Sequence, residues 1–83
     1  MKIAVLGAGA WGTALAINLL KNSNSRHEIT LWTNDLGHCA ELIQERTNRQ
    51  FLPGFLLPES LKLTSDFNVA VKADLALIVV PTA

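Results

Sequence analysis

Gly7, Gly9 and Gly12 stand in the order G-x-G-x-x-G, with Ala8, Ala10 and Trp11 between them. Glycines at this spacing strip side chains from a stretch of backbone, and the chemistry this permits is capture of an anion by main-chain amides. Gly7 lets the chain turn sharply, Gly9 offers no Cβ to hold a phosphate away, and Gly12 lets a following helix pack close to what precedes it. The first amides of such a helix lack internal partners, and its dipole places about half a positive charge beside them. Ala10 and Trp11 would donate through their backbone N–H groups, with the Trp11 indole lying over the bound group or against the neighbouring loop. No Lys-Ser/Thr pair follows the glycines, which excludes a P-loop. The ligand class that fits is the diphosphate of a dinucleotide, provided a strand comes before the glycines and a helix after them.

Both are readable. Ile3-Ala4-Val5-Leu6 is a short apolar run ending at the glycines, as expected of a strand buried on both faces. Trp11 to Lys21 then suits a helix packed on a sheet, and Asn22-Ser23-Asn24-Ser25 is a polar turn that ends it. Glu28 to Trp32 is a second strand. Asn34 or Asp35 can cap a second helix, whose Leu36, Cys39, Ala40 and Ile43 are expected to form one buried face, with Glu41 and Glu45 outside. Asn48 to Ser60 holds Pro53, Gly54 and Pro58 among large apolar residues. It is expected to be a structured loop, since prolines at this spacing exclude a helix. Leu61 to Thr64 alternates like a third, edge strand. Ser65 or Asp66 can cap a short helix with Phe67, Ala70 and Val71, and Leu75 to Val80 is a fourth strand stopped by Pro81.

The order β-α-β-α-β-α-β belongs to the α/β class: a Rossmann-type, doubly wound parallel sheet, represented by its N-terminal half. Right-handed crossovers arrange the strands as three, two, one, four. Ligands of such sheets bind at the reversal, outside the carboxyl ends of the strands, where the glycines lie. The end of the second strand selects the cofactor. An acid there binds a ribose 2′-hydroxyl and favours NAD. Here Thr33-Asn34-Asp35 offers a neutral Thr33, an Asp35 that can serve as a helix cap, and an Asn34 able to contact the ribose or donate to a 2′-phosphate. This leans slightly towards NADP and leaves the choice between NAD and NADP open.

The 83 residues carry seven basic and seven acidic side chains, a balance that disfavours non-specific nucleic-acid binding. No apolar stretch is long enough to span a bilayer, so no membrane insertion is expected, and the N-terminal run is too short for a signal peptide. Cys39 is alone, which fits a reducing cytoplasm, and it is expected to be a small apolar residue on a helix face. His27 and His38 have no ligand partners at metal spacing and are expected at the surface.

Gly7-Ala8-Gly9-Ala10-Trp11-Gly12-Thr13-Ala14-Leu15-Ala16 closely resembles the opening motif of the NAD(P)-dependent glycerol-3-phosphate dehydrogenases. The likeness continues through Leu31-Trp32, Asn48, Phe51-Leu52-Pro53-Gly54, Leu57-Pro58, Asp66, Ala73-Asp74 and Val79-Val80-Pro81-Thr82, and so runs along essentially the whole chain. The resemblance implies a parent enzyme that interconverts dihydroxyacetone phosphate and glycerol 3-phosphate by hydride transfer, feeding phospholipid synthesis. It implies a nicotinamide dinucleotide and a small phosphorylated substrate as partners, and a parent that could assemble as a homodimer. It places Ala10, Trp11 and Asn34 at cofactor contacts. Two departures stand out: the family often has serine or another small residue at Ala10, and frequently His, Arg or Phe at Asn34.

The family's catalytic lysines lie in later segments, mostly in a helical C-terminal domain, so no catalytic residue is expected within residues 1–83. The chain reads as a fragment that binds cofactor weakly, turns over no substrate, and is marginally stable because the fourth strand leaves a free apolar edge. Two alternatives remain at this level. One is a Rossmann dehydrogenase of the hydroxyacid, ketopantoate or sugar-nucleotide type; the other is a non-catalytic NAD(P)-sensing module.

Overall fold

The structure, a computed structural model, describes residues 1–22 and 27–79. Along the chain run β1 (Lys2–Leu6), α1 (Ala10–Asn22), β2 (Glu28–Trp32), α2 (Leu36–Glu45), β3 (Thr47–Asn48), β4 (Leu52–Leu56), β5 (Lys62–Thr64), α3 (Phe67–Val71) and β6 (Leu75–Ile78). The polar turn expected after Asn22, and the Val80-Pro81-Thr82 end of the fourth strand, lie outside the described residues.

Four strands form a parallel sheet in the order β5-β2-β1-β6, the three-two-one-four arrangement expected from the sequence. Val5 stands level with Leu31 on one side and Leu77 on the other, so β1 is central and buried from both flanks. Strand alternation divides its side chains between two faces. Ile3 and Val5 join Ile29 and Leu31 of β2, Ala16 and Ile17 of α1 and Leu42 of α2 in the main core. Ala4 points to the other face, where α3 crosses β1, β2 and β5, Ala70 is fully buried, and Phe67 meets Trp32 edge-on at 5.4 Å. Helices on both faces of a parallel sheet are what double winding requires.

Edge strand β5 is tied to β2 by three parallel register pairs and by an ion pair of Lys62 with Glu28. The hydrogen bond from Lys62, aided by its charge, holds the Glu28 carboxyl below its ordinary value of 4.5.

The structure corrects three expectations. The buried face of α2 consists of His38, Cys39 and Leu42, whereas Leu36 and Ile43 are 75% and 52% exposed and Ala40 also faces outward. The helix is set by Asp35, whose carboxylate oxygen accepts the His38 amide at 3.0 Å, and this phase turns a polar ring inward in place of two aliphatic side chains. His38 is thus buried, not at the surface, because its ring finds a hydrogen-bond partner in Asn48. Within Asn48 to Ser60, where the prolines predict a loop, the chain contains β4, which pairs antiparallel with β3 through Thr47–Leu56 and Asn48–Leu52, with an irregularity between the pairs. Pro53 and Gly54 forbid a helix yet are tolerated in an isolated two-stranded ribbon, where one side of each strand has no ladder to complete.

That segment is anchored at both ends. Leu57 and Leu61 are buried in the main core. Arg46 adopts a left-handed backbone at φ 54°, its carbonyl accepts the Leu57 amide at 2.7 Å, and its guanidinium donates to the carbonyls of Pro58 and Leu61.

Candidate functional site

The glycine turn sits between the end of β1 and the start of α1. Gly7 leaves the strand at φ 127°, donates its amide to the Trp32 carbonyl at 2.9 Å, and lies so close to the Val79 carbonyl that a side chain there would collide with it. Gly12, in the first turn of α1, packs on the Gly7 carbonyl, with a Val5 methyl 3.7 Å from where a Cβ would stand. These two glycines are consumed by the fold. Gly9 differs: a Cβ built on it meets nothing within 4 Å and points into open space.

The first intrahelical bond of α1 runs from Thr13 N–H to the Gly9 carbonyl at 3.0 Å. The amides of Ala10, Trp11 and Gly12 therefore have no acceptor inside the helix. Gly9, at the capping position, brings no side chain to accept from them, and the first turn carries no acidic residue to neutralise the positive helix end. The turn is unsealed, and a helix start of this kind can receive an anion.

A cavity of about 490 Å³ opens over it. Gly7, Gly9, Ala10, Trp11, Gly12 and Asn34, the six residues singled out from the sequence, all line this cavity. Trp11 is 79% exposed, so its indole is not packed on the loop but free to cover a ligand. Asn34 is exposed at the rim beyond β2, and Thr33 is buried with its hydroxyl accepting the Asp35 amide at 3.3 Å. The Asp35 carboxylate is committed to capping α2, as the sequence allowed. A larger cavity of about 600 Å³ lies on the α3 face around Lys2, Glu28 and Lys62, and the glycine turn does not contribute to it.

The structure adds two residues. Asn48, 1% exposed, lies beneath the turn. Its Nδ2 donates to the Ala8 carbonyl at 2.9 Å and to Thr13 Oγ1 at 2.7 Å, while its Oδ1 accepts the Phe51 amide at 3.3 Å and lies 3.0 Å from His38 Nε2. An amide oxygen can only accept, so this contact is a hydrogen bond in the ring form that carries a proton on Nε2. His38 also packs edge-on against Phe51 at 5.3 Å, on the cavity wall. The sequence held one signal for this pair: an Asn immediately before a Pro/Gly-rich apolar segment. Nothing in the helical periodicity of α2 marks His38 as inward.

Among the described residues there is no group of three or more His, Cys, Asp or Glu side chains arranged to hold a metal ion. No helix among them is long and apolar enough to cross a membrane.

A family model described as the NAD-dependent glycerol-3-phosphate dehydrogenase N-terminus matches residues 2–83. The chain belongs to that family. Two curated relatives, each named glycerol-3-phosphate dehydrogenase [NAD(P)+], come from Nitrosospira multiformis and Nitrosomonas eutropha. They are 52% and 54% identical across 100% of this chain, which covers 25% and 24% of their lengths. The crystal structure of the glycerol-3-phosphate dehydrogenase of Coxiella burnetii matches 96% of this chain and 24% of its own at TM-score 0.85 and 38% identity. This family membership supports the glycerol-3-phosphate dehydrogenase reading over the hydroxyacid-type and sensing alternatives. The chain spans about a quarter of the length of the relatives it matches.

Proposed function

We propose that residues 1–83 form the N-terminal part of the NAD(P)-binding domain of an enzyme that interconverts dihydroxyacetone phosphate and sn-glycerol 3-phosphate. In this reading the catalytic helical domain follows in the parent protein. The chain alone binds the dinucleotide weakly and turns over no substrate.

The single observation that carries the reading is the open position at Gly9, set among helix amides that no side chain caps. Gly9, Ala10, Trp11 and Gly12 supply the phosphate cradle, Gly7 shapes its entry, Trp11 covers the bound group and Asn34 reaches the adenine ribose. The nicotinamide supplies the hydride when bound, and the residues of this chain hold and orient the cofactor. With Asp35 committed to the α2 cap and no basic side chain at Asn34, the geometry favours neither NAD nor NADP. The dinucleotide and a small phosphorylated substrate are the partners in this reading. The cytoplasm is its compartment, consistent with a buried, unpaired Cys39. The reading also allows the parent to assemble as a homodimer.

Assay of the full-length parent with dihydroxyacetone phosphate and either NADH or NADPH is the test. Substrate-dependent loss of absorbance at the reduced nicotinamide band is expected with at least one cofactor, and no oxidation of either would refute the assignment.

A further inference from the structure

Gly9 carries a hazard along with its use. A glycine populates positive and negative φ about equally, so the Ala8–Gly9 peptide can turn over at little cost. A turned peptide would aim the Ala8 carbonyl oxygen, with its partial negative charge, at a bound diphosphate. Something must hold the peptide in one sense, and the structure shows what does. Asn48 Nδ2 donates to the Ala8 carbonyl at 2.9 Å from inside the core. Among the described residues there is no cis peptide, and in a trans peptide the N–H points opposite to the C=O. The bond that draws the Ala8 oxygen inward therefore turns the Gly9 N–H outward, on the side where Gly9 lines the cavity.

Asn48 can act as this lock because its own amide cannot rotate. Thr13 Oγ1 takes its second hydrogen, and His38 and the Phe51 amide occupy its oxygen. We propose that Asn48 is a positioning residue for the cofactor diphosphate, holding the Ala8–Gly9 peptide so that the Gly9 amide faces the ligand. The proposal rests on the dinucleotide-binding reading of the same site. It makes His38 and the β3–β4 segment part of the cradle although neither supplies a phosphate donor.

The test uses the full-length protein and NADH titrated by fluorescence. Asn48→Asp keeps the shape and both acceptor contacts but cannot donate to the Ala8 carbonyl. It is expected to bind NADH about 10- to 100-fold more weakly, the range set by one hydrogen bond to a charged group. Leu42→Ala destabilises the fold from the main core without touching Asn48 or the glycine turn, and should change affinity less than about threefold. A scaffolding role alone would lower the unfolding temperature of both variants and leave Gly9 indifferent, so a spectroscopic readout accompanies the titration. In glycine-selective 15N spectra of the wild type, inorganic pyrophosphate should move the Gly9 amide resonance downfield, and in folded Asn48→Asp it should not. Wild-type affinity in Asn48→Asp would overturn the proposal. So would a wild-type Gly9 amide unmoved by pyrophosphate in a protein that binds NADH, a result that stands even if the variant fails to fold. A wild type that binds no NADH at all would instead refute the parent reading, and this proposal with it.

Discussion

At the scale of single residues the glycine motif separates into fold and ligand. Gly7 and Gly12 are bare because backbone crowds them, whereas Gly9 is bare with nothing beside it. Alanine substitution should expose this division. Gly12→Ala drives a methyl into the Gly7 carbonyl and should cost about 1–3 kcal/mol or more, as overpacking does. Gly9→Ala should leave stability within about 0.5 kcal/mol, since the new methyl enters open space. The same substitution should weaken dinucleotide binding by about tenfold or more, because the methyl occupies the approach to the amides. Chemical denaturation together with cofactor titration of both variants checks the pair. Equal loss of stability in both would mean that the loop is simply a tight turn. The glycines were legible from the sequence because their spacing encodes backbone geometry directly. Asn48 was marked only by the family likeness and its place before the Pro/Gly-rich segment, and its role was not, since that lies in four hydrogen bonds to groups between 3 and 40 residues away, which no local pattern records.

At the scale of elements, α2 teaches the most. A three-and-four apolar spacing predicts Leu36, Cys39, Ala40 and Ile43 inside, yet the helix buries His38, Cys39 and Leu42. Both sets have helical spacing, and what decides between them is the Asp35 cap and the partner waiting for the His38 ring, which are tertiary facts. The expected signature is a large difference between two leucines in urea unfolding. Leu42→Ala, at a site 1% exposed, should cost about 2–5 kcal/mol, and Leu36→Ala, 75% exposed, about 0.5 kcal/mol or less. The strands were read more faithfully. β2 spans Glu28–Trp32 as expected, and the third strand occupies the sheet edge, because continuous apolar and alternating runs report burial on two faces or one. The β3–β4 ribbon is hidden in the sequence because Pro53 and Gly54 mask strand propensity, and the pairing that rescues it is tertiary.

The same edge carries a pH signature. Lys62 holds the Glu28 carboxyl below 4.5, so the pair contributes stability above that value and loses it as pH falls through the lowered value. Glu28→Gln should therefore lose less stability than the wild type on acidification, with the difference shrinking at high salt because the pair is exposed. Parallel unfolding curves for the two proteins from neutral to acid pH would contradict that role.

At the scale of the whole molecule, four parallel strands and their helices bring one unsealed helix end, one exposed indole and one polar rim residue around a single opening. Their positions follow from double winding, which places the first strand-to-helix turn at the reversal of the strand order. The family to which the chain belongs is described as NAD-dependent, and the proposed function places the dinucleotide in that opening. The most direct test is a crystal structure of the full-length protein grown with NADH. The expected result is a diphosphate about 3 Å from the amide nitrogens at the start of α1, with its oxygens over Gly9. A diphosphate bound elsewhere, with those amides still facing solvent, would contradict the account.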